Sequence, residues 1–222
     1  MPTYFTPDYL KFFMELAPNN NKDWFDANRN RYKKSVKEPF EKFVGLMMEK
    51  VGKSEGINKD VKPSDCIFRV NRDIRFSKDK SPYKLQMSAA IAKGGKKDMV
   101  TPGLYFELGP EHVGIYTGIY MPDKDQIDTI RRHIAKNAAR FEKIINDKNF
   151  KKSFGDIQGD KAKLLPPDLK AAAAKQPAIF NKQFYVMHRA EPDMIVEGDV
   201  AKYIVDTYKH AEAFNNFLKE VL

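Results

Sequence analysis

The chain has 222 residues, of which 39 are lysine or arginine and 30 are aspartate or glutamate, so its formal net charge is +9 at pH 7. Hydrophobic residues make up 42% and aromatic residues 12%, which excludes a disordered protein and predicts a packed core. The single cysteine, Cys66, excludes an intrachain disulfide, and no apolar run approaches the ~20 residues of a membrane span. With no hydrophobic leader at its start, the chain is expected to be cytoplasmic, without membrane partners.

The first part of the chain, residues 6–52, is predicted to be helical. Thr6 and Pro7 are typical of the start of a helix, and the polar stretch 18–21 ends that helix. A second helix follows, and Pro39 marks a break or a fresh start before a third. Apolar residues then recur at helical spacing to the end of the region.

The middle of the chain, residues 66–120, is predicted to be rich in strands, because apolar and polar residues alternate there between short turns. Short connections between sequential strands favour antiparallel pairing. The predicted strands cover 66–76, 84–92, 103–108 and 113–120.

Helices return in the last part of the chain. A long helix is predicted over 122–146, a mixed region over 150–190 with a strand at 182–189, and a final helix over 199–221. This order predicts an α+β fold. A mainly antiparallel sheet from the middle of the chain is packed by N-terminal, central and C-terminal helices in a single domain, 1–222.

The segment 69–84 concentrates charge. It holds six cations and two anions, a net charge of +4 in sixteen residues. Period-two alternation in and just before its first half predicts an amphipathic strand. The predicted core face carries Phe68, Val70, Ile74 and Phe76, and the predicted polar face carries Arg69, Asn71, Asp73 and Arg75. Arg72 falls on the core face, where a β-bulge, an edge position or an internal ion pair would accommodate it.

The second half of this segment is predicted to be a basic loop. Residues 77–82 are polar, and Pro82 biases Ser81 away from helix. The loop is expected to present polar and basic side chains beside the end of the polar face. These side chains are Ser77, Lys78, Lys80, Tyr83 and Lys84.

The stretch from Arg69 to Lys84 (RVNRDIRFSKDKSPYK) resembles the central signature of a bacterial and fungal family classed as domain of unknown function 2461. The stretch from Trp24 to Asn28, with Tyr32 after it, is similar to that family's N-terminal signature. The similarity covers nearly the whole chain and weakens after about Leu165. The family has no assigned activity, so the resemblance implies a compact domain organised around the central signature without naming a substrate.

Several common kinds of site are missing from the sequence. No phosphate-binding loop of the form G-x-x-x-x-G-K-[ST] and no G-x-G-x-x-G after a strand is present. The four histidines are scattered and Cys66 stands alone, so no metal site is predicted. We therefore expect neither a metal nor a cofactor.

The main functional hypothesis is a site for a small ligand that carries phosphate or carboxylate. Arginine offers a planar fork that matches either group. The candidate ligand-binding residues are Arg69, Asn71, Arg72, Asp73, Arg75, Ser77, Lys80, Tyr83 and Lys84, with Trp24, Asn28 and Tyr32 from the N-terminal signature. We expect Asn28, Arg31 and Tyr32 to face the Arg/Asp face of the strand. Asp73 is the only acid/base candidate in the segment, and a carboxylate between arginines suits an orienting role better than proton transfer.

Two other interpretations stay open. The segment is equally able to form an internal ion-pair network, with Asp73 bound to Arg72 or Arg75 and other arginines bound to distant acids such as Glu15, Asp26 or Glu107. Its basic residues and interleaved aromatics are also compatible with a nucleic-acid-binding module.

Overall fold

The structure is a computed structural model that describes residues 4–222. Its centre is one antiparallel sheet with the strand order β1-β2-β3-β4, which confirms the predicted α+β fold. The strands are β1 (Met87–Ile91), β2 (Gly103–Leu108), β3 (Val113–Ile119) and β4 (Phe184–Ala190). The predictions for the last three strands are correct to within about two residues at each end, and β1 is shorter than predicted.

Helices precede and follow the strands along the chain. The helices of the first part are α1 (Pro7–Leu16), α2 (Lys22–Ala27), α3 (Arg29–Arg31), α4 (Glu38–Val51) and α5 (Pro63–Cys66). The later helices are α6 (Lys124–Lys136), α7 (Ala138–Ile145), α8 (Lys148–Phe154), α9 (Lys170–Lys175), α10 (Met194–Glu197), α11 (Val200–Lys209) and α12 (Glu212–Lys219).

Two predicted helices are interrupted, and the structure also departs from the prediction near Pro39. A π-helical stretch, Tyr32–Lys37, joins α3 to α4, so the chain does not break at Pro39, which lies in the first turn of α4. The helix predicted over 122–146 is divided at Asn137, and the one predicted over 199–221 is divided after α11. Helical periodicity continues across each interruption, which is why the sequence pattern did not reveal it.

The strand predicted over 66–76 is wrong. Two isolated antiparallel bridges, Ile67 with Ala89 and Asn71 with Tyr83, are the pairing that the segment forms within residues 4–222. Side chains compete with the ladder for backbone groups: Asp73 accepts from the Arg75 amide at 3.2 Å. The predicted core face is also wrong at its end, because Val70 is buried but Phe76 is 94% exposed.

The described chain divides into two compact units. Unit 1 contains the residues up to 97 together with 105–114 and 189–205, and unit 2 contains 98–104, 115–188 and 206–222. The organisation as a single domain stays a prediction.

Each unit has its own aromatic core. In unit 1, Tyr9 lies between Phe5 and Phe13, and its hydroxyl donates to the Leu108 carbonyl at 3.0 Å. Unit 2 buries a cluster that includes Phe141, Phe150, Phe154, Phe214 and Phe217. Burying aromatic side chains of this size is the main source of stability in each unit.

Gly118 allows a close approach inside unit 2. Its φ of 106° is strained for any side-chain-bearing residue, and a Cβ at this position would lie 2.3 Å from the Phe184 carbonyl oxygen. Glycine is therefore required where β3 meets β4.

Candidate functional site

The polar segment forms one wall of an open cleft of about 440 Å³ within unit 1. The cleft is lined by residues 17 and 20, which follow α1, by parts of 72–86, and by residues 107–112 at the end of β2 and the turn after it. Among the predicted ligand-binding residues, the structure brings Arg72, Asp73, Tyr83 and Lys84 to this cleft. The other candidates lie elsewhere.

Backbone pairing closes the segment into a loop. The Arg72 amide donates to the Pro82 carbonyl at 2.9 Å, and the Lys84 amide donates to the Val70 carbonyl at 2.8 Å. These two bonds flank the Asn71–Tyr83 bridge. Arg72 and Lys84 are therefore held close together, although twelve positions separate them in the sequence.

Tyr83 anchors this loop to the N-terminal helices of unit 1. Its amide donates to Asn20 Oδ1 at 3.1 Å, and the Asn20 amide group donates back to the Tyr83 carbonyl at 3.0 Å. The ring of Tyr83 stacks on Phe25 with 4.0 Å between centroids and 14° between planes. The two signature segments thus meet, but through Asn20 and Phe25 rather than through the predicted residues.

Trp24, Asn28 and Tyr32 support the helices and do not line the cleft. Trp24 packs against Phe12 with 5.6 Å between ring centroids, and the Asn28 side chain donates to the Trp24 carbonyl at 3.0 Å. Tyr32 packs against Phe25, and burial raises its pKa to about 12.

Arg31 is likewise engaged away from the cleft. Its guanidinium binds Asp8 at 2.7 Å and Glu15 at 2.6 Å. These bonds lower the pKa of both carboxyl groups, and Arg31 is the largest cause for each. The expectation that Arg31 faces the Arg/Asp segment is therefore wrong, because two acids of the N-terminal helix hold it.

Both acids of the segment are paired with arginines of the same segment. Asp73 binds Arg75 at 2.7 Å, one of the two partners expected for it, and Asp79 binds Arg72. The hydrogen bond from Arg75 is the largest cause that lowers the pKa of Asp73, and the bond from Arg72 places the pKa of Asp79 well below its ordinary value. Asp73 is consequently ionised near neutral pH, as an orienting group is.

Five of the candidate residues do not line the cleft: Arg69, Asn71, Arg75, Ser77 and Lys80. Asn71 takes part in the bridge that closes the loop. The Lys80 ammonium donates to the Ile74 carbonyl at 2.9 Å, and the Ser77 amide donates to the same carbonyl at 3.4 Å. These contacts hold the shape of the loop on the side away from the cleft.

Lys84 is the unusual cation of the site. Its side chain is half-buried, and its ammonium lies 5.6 Å from the centroid of the Phe68 ring. Within residues 4–222, this ammonium has neither a hydrogen-bond acceptor nor an ion-pair partner. Burial lowers the pKa of Lys84, and the nearby charge of Glu107 opposes that shift without cancelling it.

Glu107 and His112 form an acid–imidazole pair that also lines the cleft. Glu107 is only 9% exposed, and its Oε1 lies 2.9 Å from His112 Nε2. Its Oε2 accepts from the Tyr105 hydroxyl at 3.1 Å and from the Gln86 side chain at 3.3 Å. The sequence analysis did not single out this pair. The one signal in the sequence was that Glu107 and His112 flank the tight turn between β2 and β3. Antiparallel pairing brings residues that flank such a turn together.

The charge of the cleft is mixed. Its lining contains the two cations Arg72 and Lys84 and the four carboxylates Asp73, Asp79, Glu107 and Glu111. Arg72 and Arg75 bind the two aspartates, whereas Lys84 forms no ion pair within residues 4–222. Among residues 4–222, no group of three histidine, cysteine or acidic side chains is placed to hold a metal ion.

The whole chain can now be compared with known proteins. The profile of the family described as "Conserved hypothetical protein (DUF2461)" matches residues 8–217, so the chain belongs to this family. The resemblance inferred from the two signature segments is thereby confirmed. No curated protein matches the chain. In the described part of the chain, no helix has the length and apolar character required to cross a membrane.

Proposed function

We propose that the cleft binds a small ligand that carries a phosphate or carboxylate group. The observation that carries this proposal is the half-buried ammonium of Lys84, which has neither a hydrogen-bond acceptor nor an ion-pair partner within residues 4–222. Desolvating a cation without giving it an acceptor is unfavourable, and a ligand anion at this position would supply the missing acceptor.

Arg72 is the second cation for the ligand. Its side chain is 27% exposed and lines the cleft while it is bound to Asp79. Its guanidinium has five donors, so binding one carboxylate leaves others for a ligand oxygen. The loop bonds that fix Arg72 beside Lys84 pre-organise the two groups, which lowers the entropic cost of binding.

The acidic side of the cleft restricts the ligand. Glu111 and the Glu107–His112 pair favour hydroxyl or amine donors and disfavour a second anionic group on the ligand. A single anionic group joined to a hydroxyl-bearing body, as in a sugar phosphate or a hydroxy acid, matches this distribution.

A second candidate function is catalysis on the bound ligand, and the Glu107–His112 pair is the observation that favours it. A carboxylate bonded to one imidazole nitrogen fixes the tautomer and the orientation of the ring, as required of a general base. Asp73 is the weaker candidate, because its lowered pKa makes it a poor base.

The interpretation as a purely structural ion-pair network has weaker support. The pairs Arg72–Asp79 and Arg75–Asp73 connect residues of the same loop, and in each pair one side chain is more than half exposed. Exposed pairs of this kind stabilise proteins weakly. The loop is attached to the helices through Tyr83 instead.

The test is thermal melting of the full chain with phosphate, sugar phosphates, nucleotides and hydroxy acids. A ligand at ~100 times its dissociation constant adds ~2.7 kcal/mol to the stability of the folded protein. For a chain of this size, that raises Tm by roughly 5–11 °C. We expect Lys84→Met to abolish the shift and Lys42→Met, at an exposed lysine of α4, to retain it. A full shift in Lys84→Met, or no shift with any compound, would contradict the proposal.

A further inference from the structure

The outer side of the 69–84 loop consists of its residues that do not line the cleft. Phe76 is one of them and is 94% exposed, although phenylalanine normally contributes to a core. The guanidinium of Arg75 lies 5.7 Å from the centroid of the Phe76 ring. An aromatic ring placed in water beside a cation is available for stacking.

Cations surround this ring in the sequence. Arg69, Arg75, Lys78 and Lys80 are all exposed, and none of them lines the cleft. Arg75 is paired with Asp73, whereas Arg69, Lys78 and Lys80 form no ion pair within residues 4–222. The other acid of the loop, Asp79, is bound by Arg72. This side of the loop therefore carries a clear excess of positive charge.

The loop is also internally braced. The Lys80 ammonium donates to the Ile74 carbonyl at 2.9 Å, and the Ser81 amide donates to Asp79 Oδ1 at 2.9 Å. A braced loop that displays an aromatic ring loses less conformational entropy on binding than a flexible one.

We propose that this outer face, defined by Arg69, Arg75, Phe76, Lys78 and Lys80, binds single-stranded nucleic acid. A base stacks on Phe76, and the cations contact the phosphates on either side of it. An exposed aromatic ring among unpaired cations is the combination that proteins use to hold single strands without strict sequence preference. An acidic peptide matches the charge equally well but has no flat group to cover the ring, so the exposed Phe76 favours a nucleic acid. This proposal is independent of ligand binding in the cleft.

Fluorescence anisotropy of the full chain with labelled 15-nucleotide oligo(dT) and oligo(U) tests the proposal. Stacking one base on an aromatic side chain contributes ~1–3 kcal/mol, so Phe76→Ala should weaken binding about 5- to 150-fold. With about three or four phosphates neutralised, the slope of log K against log salt should be near −2 to −3. Lys78→Gln should reduce that slope by about 0.7.

Matched control variants distinguish binding at this site from nonspecific binding to the positive charge of the whole protein. Leu164→Ala removes another exposed apolar side chain, 85% accessible and in unit 2, and should leave the affinity unchanged. Lys148→Gln, at an exposed lysine of α8, should leave the salt slope within error. Lys84→Met should bind the oligonucleotide normally, so failure of the cleft proposal and failure of this one are distinguishable. Since Phe76 is exposed, its alanine variant is expected to melt like the wild type.

Three results would overturn the proposal. The first is Phe76→Ala binding as tightly as the wild type, which would leave charge alone as the cause. The second is that duplex DNA of equal length binds as tightly as the single strand, both to the wild type and to Phe76→Ala. The third is a labelled polyglutamate peptide that binds more tightly than the oligonucleotides and depends on Phe76, which would assign the face to an acidic protein.

Discussion

Each unit contains a cation whose pKa is lowered mainly by burial. The two cations differ in whether their own chain supplies hydrogen-bond acceptors for them. Arg131 of unit 2 is 9% exposed, and its guanidinium donates to the carbonyls of Asn181 at 3.0 Å and Phe180 at 3.3 Å. Lys84 of unit 1 is half-buried at the wall of a cleft, without an acceptor among the described residues. A structural cation is satisfied by its own chain, whereas Lys84 leaves its donors for something else.

The largest effect is expected from removing the satisfied cation. Arg131→Met leaves the Asn181 carbonyl without this donor in the interior of unit 2, whereas the Phe180 carbonyl still accepts from the Ala162 amide at 2.7 Å. An unsatisfied buried polar group costs ~1–3 kcal/mol, so we expect a loss of about 1–3 kcal/mol in urea unfolding. The matched control is Arg132→Met, because Arg132 is half-exposed and bound to Asp128 and Asp168. An Arg131→Met variant as stable as Arg132→Met would show that the bonds from Arg131 to the backbone carbonyls do not stabilise unit 2. That result would contradict the contrast between Arg131 and Lys84.

A smaller effect of opposite sign is expected at Lys84. Because the pKa of Lys84 is lowered in the folded state, its charged form destabilises the fold at neutral pH. As pH rises from the lowered pKa towards the unfolded value of 10.5, the unfolded chain retains a proton that the folded chain has lost, so this penalty disappears. Lys84→Met should therefore melt at the same or a higher temperature at pH 7, and the difference should shrink at alkaline pH.

Melting curves of both proteins between pH 7 and pH 10 check this expectation. A Lys84→Met variant that melts well below the wild type at pH 7 would mean that the ammonium is satisfied in solution. That outcome would remove the argument for a ligand at this position.

The smallest effect is expected at the exposed Arg72–Asp79 pair. The pKa of Asp79 is depressed, so its contribution to stability is present above the unfolded value of 3.8 and is lost as pH falls through the folded value. Asp79→Asn should be slightly less stable at pH 7, and the difference from the wild type should shrink as pH falls below 3.8. Because the substitution frees Arg72, it should also strengthen anion binding in the cleft. Weaker anion binding in a folded Asp79→Asn variant would show that the pair itself holds the site together.

Local pattern accounts for most of the elements that were predicted correctly. The strands β2, β3 and β4 follow from alternation bounded by glycine and proline, and the N-terminal helices follow from apolar spacing. The strand predicted at 66–76 is wrong, and the reason is a local side-chain interaction rather than the alternation of residues. The Asp73 side chain binds the Arg75 backbone amide there, and alternation does not report that competition.

The sequence by itself determined the α+β fold, the family and the segment in which charge is concentrated, because these depend on composition, periodicity and a contiguous motif. Only the tertiary structure decided which charges meet. It brought Asn20 and Phe25 to Tyr83, and it placed the Glu107–His112 pair in the same cleft as Arg72 and Lys84. It also brought Arg72 and Lys84, but not the other cations of the motif, to that cleft. Contacts between residues distant in the chain depend on packing and desolvation, and neither quantity can be read from the order of residues along a single segment.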